Sequence, residues 1–209
     1  NIQRYNTGGY EPYAEYYAYK VAEQMGLNVV AYDFDMWHCQ LASVCKLFTN
    51  IDTSFVPVSR FLKNYNLRSV VEFYKSLGED FYQGFCSMMV FDALICNVDR
   101  HLNNFGIIRN VNTLKWMDVA PIFDNGQSLN IQYYDEYKFF YEIKPFKEIL
   151  QVVQDLNRID IDALQDLPAW FDDLLHQYQH KTYYSDQRIH KLCVLLNRQI
   201  HNLKFFLSS

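Results

Sequence analysis

Residues 80–106 read DFYQGFCSMMVFDALICNVDRHLNNFG, an apolar stretch that ends in a run of polar side chains. Up to Cys96 the apolar residues recur at helical spacing and cover nearly the whole circumference, which predicts a buried helix. The polar run from Asn97 to Asn104 predicts a loop at the end of that helix. The stretch therefore predicts a helical body with polar groups gathered where its buried helix ends.

A β-hairpin and a second polar loop are predicted next. The short apolar stretches GIIRN (106–110) and LKWMDV (114–119) flank Asn112, a residue that favours turns. The loop APIFDNGQSL (120–129) follows them and contains Asp124. The hairpin thus separates two polar loops, one with Asp99 and Asn104 and the other with Asp124.

The remaining elements complete an α+β, mainly helical, chain. Residues 11–25 predict a helix, because Pro12 suits its first turn and Gly26 follows its last periodic residue. Asp162 and Ser185 are expected as helix N-caps near the C-terminus. We expect strands at 28–34 and 41–48, a connection at 49–57, and further helices at 61–77 and from about 141 to the end.

The composition fits a globular protein of one or two domains. The 209 residues are 50% hydrophobic and 21% charged, with 17 Tyr and 16 Phe, so a sizeable core is expected. A net charge of −5 argues against a broad nucleic-acid-binding surface, which needs clustered Lys and Arg. The five cysteines lack CxxC spacing, and no apolar run has the length of a membrane span. These features favour a cytoplasmic protein with reduced thiols.

The spacing of Asp99, Asn104 and Asp124 is typical of phosphoryl transfer from Mg·ATP. In that reaction one carboxylate orients the acceptor hydroxyl, while a second carboxylate and an amide hold Mg²⁺. Protein kinases place the first carboxylate and the amide five residues apart and the metal carboxylate on a loop after a hairpin. Asp99 and Asn104 have this spacing, and Asp124 follows the predicted hairpin.

These two loops resemble the catalytic and metal-binding segments of HipA-like serine/threonine kinases, relatives of the phosphatidylinositol kinase-like superfamily. The stretches LICNVDRHLNNFGIIRN and WMDVAPIFDNGQSL carry the resemblance, including the family's Asp-x-His-x-x-Asn loop. The resemblance implies that Asp99 is the catalytic base and that Asn104 and Asp124 bind Mg²⁺. His101 would brace the loop, and Arg100 would either order the loop or face a phosphate of ATP.

The segment EPYAEYYAYKVAEQMGLNVVAYDF (11–34) resembles a helix and strand of the same family. The resemblance implies that Glu15, or alternatively Glu11, is the helix glutamate that pairs with a lysine of the nucleotide pocket. It covers most of residues 10–130. The implied fold is a protein-kinase-like C-terminal lobe (51–209) with a partial N-terminal lobe (1–50) of one helix and about two strands.

Two parts of the family's nucleotide pocket do not match this sequence. A glycine-rich loop and a strand lysine should both precede the Glu15 helix, whereas Lys20 lies on that predicted helix and Lys46 on a later strand. Three interpretations remain open: a fragment of a longer protein, one piece of a split kinase, or a degenerate kinase that does not transfer phosphate. The first residue, Asn1, favours the fragment.

The function implied by the resemblance is ATP-dependent phosphorylation of Ser or Thr in a protein, with ATP and Mg²⁺ as cofactors. Kinases of this family often serve as toxins of bacterial toxin–antitoxin pairs. The expected partners are therefore a helix-turn-helix antitoxin or a separate N-lobe polypeptide, with no direct nucleic-acid or membrane contact. The alternative is a kinase-like binding or regulatory module without catalysis of its own.

Single residues in these motifs also have simpler interpretations. Asp99 alone is compatible with a loop cap, and Glu15 alone with a solvated helix face. Asp92 lies within the predicted buried helix, where a carboxylate is costly unless it is paired, and Arg100 is its candidate partner. Only the joint spacing of Asp99, Asn104 and Asp124 favours chemistry.

Overall fold

The computed structural model describes residues 10–62, 66–130, 162–177 and 184–207. These residues form five α-helices, two short 3₁₀ helices and two small antiparallel sheets. The helices are α1 (Glu11–Gln24), α2 (Leu67–Leu77), α3 (Glu79–Leu94), α4 (Leu167–Gln177) and α5 (Asp186–Leu207). The strands are β1 (Tyr32–Trp37), β2 (Gln40–Cys45), β3 (Thr53–Pro57), β4 (Gly106–Asn110) and β5 (Trp116–Val119). The 3₁₀ helices are Val58–Arg60 and Asp162–Leu164.

Helix α1 has the limits that the sequence predicts. Pro12 lies in its first turn, and Met25 is its C-cap. Gly26 follows in the left-handed region at φ 70°, which glycine enters without a Cβ penalty, and the Leu27 N–H donates to the Ala22 carbonyl at 2.9 Å. One face of the helix carries aromatic rings into the core, where Tyr17 contacts Phe171 of α4 and Tyr184 edge-on.

Helix α3 is the buried helix predicted from residues 80–96. Ten of its residues are buried, from Tyr82 to Leu94. Strand β5 packs closely against it at Gly84, where an added Cβ would lie 2.6 Å from a methyl carbon of Val119. The hairpin of β4 and β5, also predicted, therefore lies directly on the helix that precedes the first polar loop.

The prediction that residues 49–57 form a connection is wrong for the second half of this stretch. Residues 53–57 form β3, which pairs antiparallel with β4 from Thr53↔Asn110 to Pro57↔Gly106. Asn50 organises the turn before the strand, since its side chain accepts the Asp52 N–H at 2.8 Å. The strand is stabilised by its pairing with β4, which lies some fifty residues later in the chain. Local sequence does not reveal so distant a partner.

The other boundaries shift by a few residues for identifiable reasons. Strand β1 begins at Tyr32 because residues 28–30 instead bond to the segment before Asp124: the Ile122 N–H donates to the Asn28 carbonyl, and the Val30 N–H donates to the Ile122 carbonyl. Strand β2 ends at Cys45, the partner of Tyr32. Helix α2 begins only at Leu67, because Asn66 is its N-cap and accepts the Arg68 N–H at 3.0 Å.

Two α-helices lie in the described part of the C-terminal region, where helices were predicted. Ser185 is the N-cap expected for α5, and its hydroxyl accepts the Arg188 N–H at 3.3 Å. Asp162 begins a 3₁₀ helix and does not cap the α-helix, which starts at Leu167. The helix expected from about 141 to 161 lies outside the described residues.

Residues of α1, α3, α4 and α5 share one hydrophobic cluster. Within the described part of the chain, no helix is long and apolar enough to cross a membrane. All five cysteines are free thiols.

Candidate active site

The first polar loop leaves α3 through a sharp change of direction. Cys96 adopts a left-handed conformation at φ 51°, which is uncommon for a residue with a Cβ. Asn97, fully buried, then donates its amide to Asp92 at 3.1 Å and accepts the Asp99 N–H at 3.1 Å. The turn therefore ends the helix and places Asp99 at the surface, where its side chain is exposed.

Arg100 holds the two polar loops together from within the core. Its guanidinium is paired with the buried carboxylate of Asp92, with Nε to Oδ2 at 2.9 Å and Nη2 to Oδ1 at 2.9 Å. The other N–H groups donate to the carbonyls of Asn104 and Phe123 and to the side-chain oxygen of Asn125.

Every N–H of this guanidinium thus has an acceptor within the protein. Arg100 occupies the position of a loop-ordering residue, and its donors are not free to face a phosphate. A buried ion pair of this kind is costly to break, because removing one partner leaves an uncompensated charge at about 3–5 kcal/mol. The candidate pairing of Asp92 with Arg100 is confirmed.

Asp124 lies on the second loop in a left-handed conformation, at φ 58°. Its backbone N–H donates to the Tyr32 hydroxyl of β1 at 3.2 Å. Burial raises the pKa of the Asp124 carboxyl; Arg100, His101 and a hydrogen bond from Asn104 oppose the rise, whereas the negative charge of Asp99 adds to it. The balance leaves a carboxylate whose charge is only partly compensated by protein groups.

The predicted catalytic residues converge at this point. The buried side chain of Asn104 donates to the Asp99 carbonyl at 3.3 Å, and its amide also lies close enough to the Asp124 carboxyl to oppose the rise in the pKa of that group. His101 is exposed. Its backbone N–H donates to the Asp99 carbonyl at 2.9 Å, and its ring Nδ1 accepts the backbone N–H of Asn103 at 3.3 Å. The two loops therefore bring Asp99, Asn104 and Asp124 together beside His101.

The donor set fits Mg²⁺ in its chemistry. Among residues 10–62, 66–130, 162–177 and 184–207, no three His, Cys, Asp or Glu side chains are grouped as metal ligands. Mg²⁺, however, needs only one or two carboxylates when phosphate oxygens and water complete its shell. Asp124 supplies a carboxylate, and the nearby side-chain amide of Asn104 contains the oxygen that would be the second protein ligand. The fully buried Nδ2 of Asn125 is not a metal ligand but a hydrogen-bond donor, and it has no hydrogen-bond partner among the described residues.

Glu15 contacts the loop of Asp124 directly. Its carboxylate, fully buried, accepts the Asn125 N–H at 2.9 Å. Lys20, on the same helix, forms an ion pair with Glu23 at 2.9 Å. The role of Glu15 toward a nucleotide therefore stays a prediction, whereas its contact with the loop is a feature of the fold.

Gln127 and Tyr32 are site neighbours that the sequence did not indicate. Gln127 bonds to Tyr10 and Glu11 at the start of α1, and Tyr32 contacts the backbone of Asp124. Such side-chain contacts link positions about a hundred residues apart and leave no periodic signal in the sequence.

A cleft lies beside the two polar loops, and Asp99, Asn104 and Asp124 are not among the residues that line it. It has a volume of about 970 Å³, and its walls are α1, strands β1 and β2, and the β4–β5 hairpin. Tyr32 lines this cleft and also contacts Asp124, so the cleft and the loop share a wall. A cleft of this volume is large enough for a nucleotide-sized ligand.

Proteins similar to this chain in sequence and in fold include protein kinases. No protein-family model matches the chain. The serine/threonine-protein kinase CtkA of Helicobacter pylori strain J99 is 27% identical over 133 residues, an alignment that covers 56% of this chain and 40% of that protein. The chain thus spans well under half of this curated relative.

The fold agrees with two solved structures. The crystal structure of the H. pylori proinflammatory kinase CtkA superposes with a TM-score of 0.68 at 19% identity, covering 100% of this chain and 91% of that one. A chain from the HipA, HipB and operator DNA complex of Shewanella oneidensis MR-1 superposes with a TM-score of 0.59 at 12% identity, covering 100% of this chain and 59% of that one. The chain is therefore a homologue of the serine/threonine-protein kinase CtkA, with the fold seen in the CtkA structure and in the HipA toxin–antitoxin complex.

Proposed function

We propose that this chain carries the catalytic lobe of a HipA-like kinase that transfers phosphate from ATP to a Ser or Thr hydroxyl of a protein. The observation that carries the proposal is the convergence of Asp99, Asn104 and Asp124 on loops held by one buried arginine. The kinase CtkA, related in sequence, supports the same reaction class.

The exposure of each group matches a separate task. Asp99 is exposed, so its carboxylate can accept a proton from a hydroxyl on an incoming protein. Asp124 and Asn104 are more buried and would hold Mg²⁺, which neutralises the charge of the transferred phosphoryl group. Nδ2 of Asn125, which has no hydrogen-bond partner in the part of the chain that the structure describes, is a donor that a phosphate oxygen or a water molecule would satisfy.

The proposed biological setting is a bacterial toxin–antitoxin pair in the cytoplasm. It rests on the fold match to the HipA, HipB and operator DNA complex. A helix-turn-helix antitoxin or a separate N-lobe polypeptide is the proposed partner, and the net charge of −5 is consistent with an indirect link to DNA. Residues 1–50 and 51–209 are the proposed partial N-lobe and C-lobe.

A kinase-like binding module is the second candidate. It is favoured by the pairing of Lys20 with Glu23 at 2.9 Å, because this lysine of α1 is then not available to contact a nucleotide phosphate. A module of this kind would bind a partner or a nucleotide without phosphate transfer. A native reading frame that encodes a glycine-rich hairpin and a strand lysine upstream would argue against it.

Nucleotide binding is tested by the thermal midpoint with and without Mg·ATP. Ligand at a hundred times its dissociation constant adds about 2.7 kcal/mol to the free energy of unfolding, which corresponds to several degrees for a chain of this size. Asp124→Asn keeps the shape and tolerates the left-handed backbone, so we expect it to remove the Mg²⁺-dependent shift without unfolding the protein. Asp173→Asn, at an exposed position of α4, is the matched control and should retain the shift.

Phosphate transfer is tested on the product of the native reading frame with labelled ATP. We expect Asp99→Asn to retain the Mg·ATP-dependent thermal shift and to lose transfer. Binding without transfer in the unchanged protein would favour the second candidate. Equal transfer by the unchanged protein, Asp99→Asn and Asp124→Asn would refute the proposed roles.

A further inference from the structure

We propose that Gln127 is a positioning residue for Asp124, which couples the metal-binding loop to the first turn of α1. The inference rests on the proposed function, in which Asp124 holds Mg²⁺. Its own basis is a chain of side-chain hydrogen bonds: the Tyr10 hydroxyl donates to Gln127 Oε1 at 2.9 Å, and Gln127 Nε2 donates to Glu11 Oε1 at 2.5 Å. The amide thus bonds to α1 through both its oxygen and its nitrogen.

The surroundings of these bonds favour a specific contact over a loose surface pair. Both bonds are partly buried, and burial raises the pKa of Glu11 while the bond from Gln127 opposes that rise. A hydrogen bond to a charged group in such a place is stronger than one at an open surface. Helix α1 is itself fixed, because Tyr17 packs against Phe171 and Tyr184 in the core.

Gln127 also lies where the two polar loops meet. Its backbone carbonyl accepts the Val98 N–H at 3.3 Å, one residue before Asp99. A shift of Gln127 would therefore move Asp124, three residues earlier, and the loop of Asp99 together. The side chain connects α1 with both loops that carry the proposed catalytic groups.

The same loop has two more attachments to the front of the molecule. The Asp124 N–H donates to the Tyr32 hydroxyl, and the Asn125 N–H donates to Glu15. These bonds hold backbone atoms, whereas Gln127 holds the far end of the loop through its side chain. Gln127 is thus the attachment that a substitution can change without altering the backbone donors.

A donor–acceptor exchange between Gln127 and Glu11 tests this role. Gln127→Glu places two carboxylates side by side and removes the donated hydrogen bond. The double variant Gln127→Glu with Glu11→Gln restores a donor opposite a carboxylate and keeps an acceptor for Tyr10. Gln24→Glu makes the same chemical change at an exposed position at the end of α1 and is the control.

Two measurements are made on each full-length variant. The first is hydrogen–deuterium exchange of peptides covering residues 123–129, which requires no ligand. The second is the Mg²⁺ concentration that gives half of the thermal stabilisation by the ATP analogue AMP-PNP. We expect Gln127→Glu to speed exchange in 123–129 and to raise the Mg²⁺ midpoint roughly tenfold, which matches the strength of a hydrogen bond to a charged group.

The double variant should return both quantities to within about twofold of the unchanged protein, and Gln24→Glu should alter neither. Equal exchange and equal Mg²⁺ midpoints in Gln127→Glu and Gln24→Glu would overturn the coupling, as would a double variant that fails to recover. A protein that shows no Mg²⁺ midpoint would instead overturn the proposed nucleotide site. Faster exchange of 123–129 in Gln127→Glu would then still show that Gln127 holds the loop, and unchanged or slower exchange would show that it does not.

Discussion

Asp124 combines two locally unfavourable features. Its backbone is left-handed at φ 58°, and burial raises the pKa of its carboxyl. Asp and Asn enter the left-handed region more readily than other residues with a Cβ, so the backbone favours one of these two or glycine. Because burial disfavours the charged carboxylate, stability alone does not explain why Asp stands here and not Asn or Gly.

Asp124→Asn is therefore expected to stabilise the metal-free protein slightly at neutral pH, by a few degrees at most. The folded-state pKa of Asp124 is raised, so its neutral form is the favoured one in the folded state. Its contribution to stability is fully present below the unfolded-state pKa and is lost as pH rises through the folded-state pKa. The difference in thermal midpoint between the two proteins, measured in EDTA, should be positive at pH 7.5 and shrink toward pH 4.

Asp173→Asn is the control for the loss of one negative charge, and it should show no such trend. An Asp124→Asn protein that is less stable than the unchanged protein at pH 7.5 would contradict this prediction. It would mean that the attraction of Arg100 and His101 for the carboxylate outweighs the cost of burying its charge.

The proximity of three candidate site residues could be predicted from the sequence. Asp99, Asn104 and Asp124 were chosen because their spacing matches that of a base, an amide and a metal carboxylate on two loops. The structure brings these positions together, and their roles stay predictions. Gln127 could not be found in this way, because its partners are 116 and 117 residues away. A glutamine in a polar loop has no distinguishing local pattern.

At the level of elements, the close approach of α3 and β5 controls how the hairpin sits. Gly84 of α3 faces the side chain of Val119, with one methyl carbon 2.6 Å from the place of an added Cβ. Alanine normally favours a helix over glycine by about 1 kcal/mol. Here that gain competes with a steric overlap, and Val119 is a short, stiff side chain that has little freedom to move.

We expect Gly84→Ala to lower the free energy of unfolding by about 1–3 kcal/mol, the range found for overpacking. The measurement is urea unfolding at equilibrium. Adding Val119→Ala should recover part of the loss, because it removes the methyl groups that the new Cβ would meet. A stabilised Gly84→Ala protein would show that helix propensity outweighs the packing contact.

The elements also differ in how well local sequence predicts them. Helix α3 was predictable because it is long and apolar on nearly all faces, and the β4–β5 hairpin because its strands are adjacent in sequence. Strand β3 was not, because its five residues end in Pro57 and its partner is β4, far along the chain. Pairing of that kind depends on tertiary packing, which overrides local propensity.

At the scale of the whole molecule, the front segment and the helical body share one core. Tyr13 and Tyr17 of α1 belong to the same hydrophobic cluster as residues of α3, α4 and α5. Backbone bonds between residues 28–30 and Ile122 add a second connection. The proposed boundary near residue 50 therefore does not mark separate cores.

We expect the two parts to unfold in one transition. The chain has three tryptophans: Trp37 on β1 lies in the front segment, whereas Trp116 on β5 and Trp170 on α4 lie in the body. A protein that keeps only Trp37 and one that keeps only Trp170, made by Trp→Phe substitutions, should have coincident urea midpoints by fluorescence. An earlier midpoint for Trp37 would show that residues 1–50 unfold as an independent unit.

The guanidinium of Arg100 has a further consequence for how this chain tolerates length changes. One nitrogen, Nη1, binds the carbonyls of both Asn104 and Phe123, so it fixes the two ends of the intervening hairpin at a single point. The hairpin is thus a closed excursion whose ends are set independently of its tip, where Val111 and Leu114 are exposed. Inserted residues at the tip would lengthen the hairpin without separating the two polar loops, whereas one residue added beside either carbonyl would pull these loops apart.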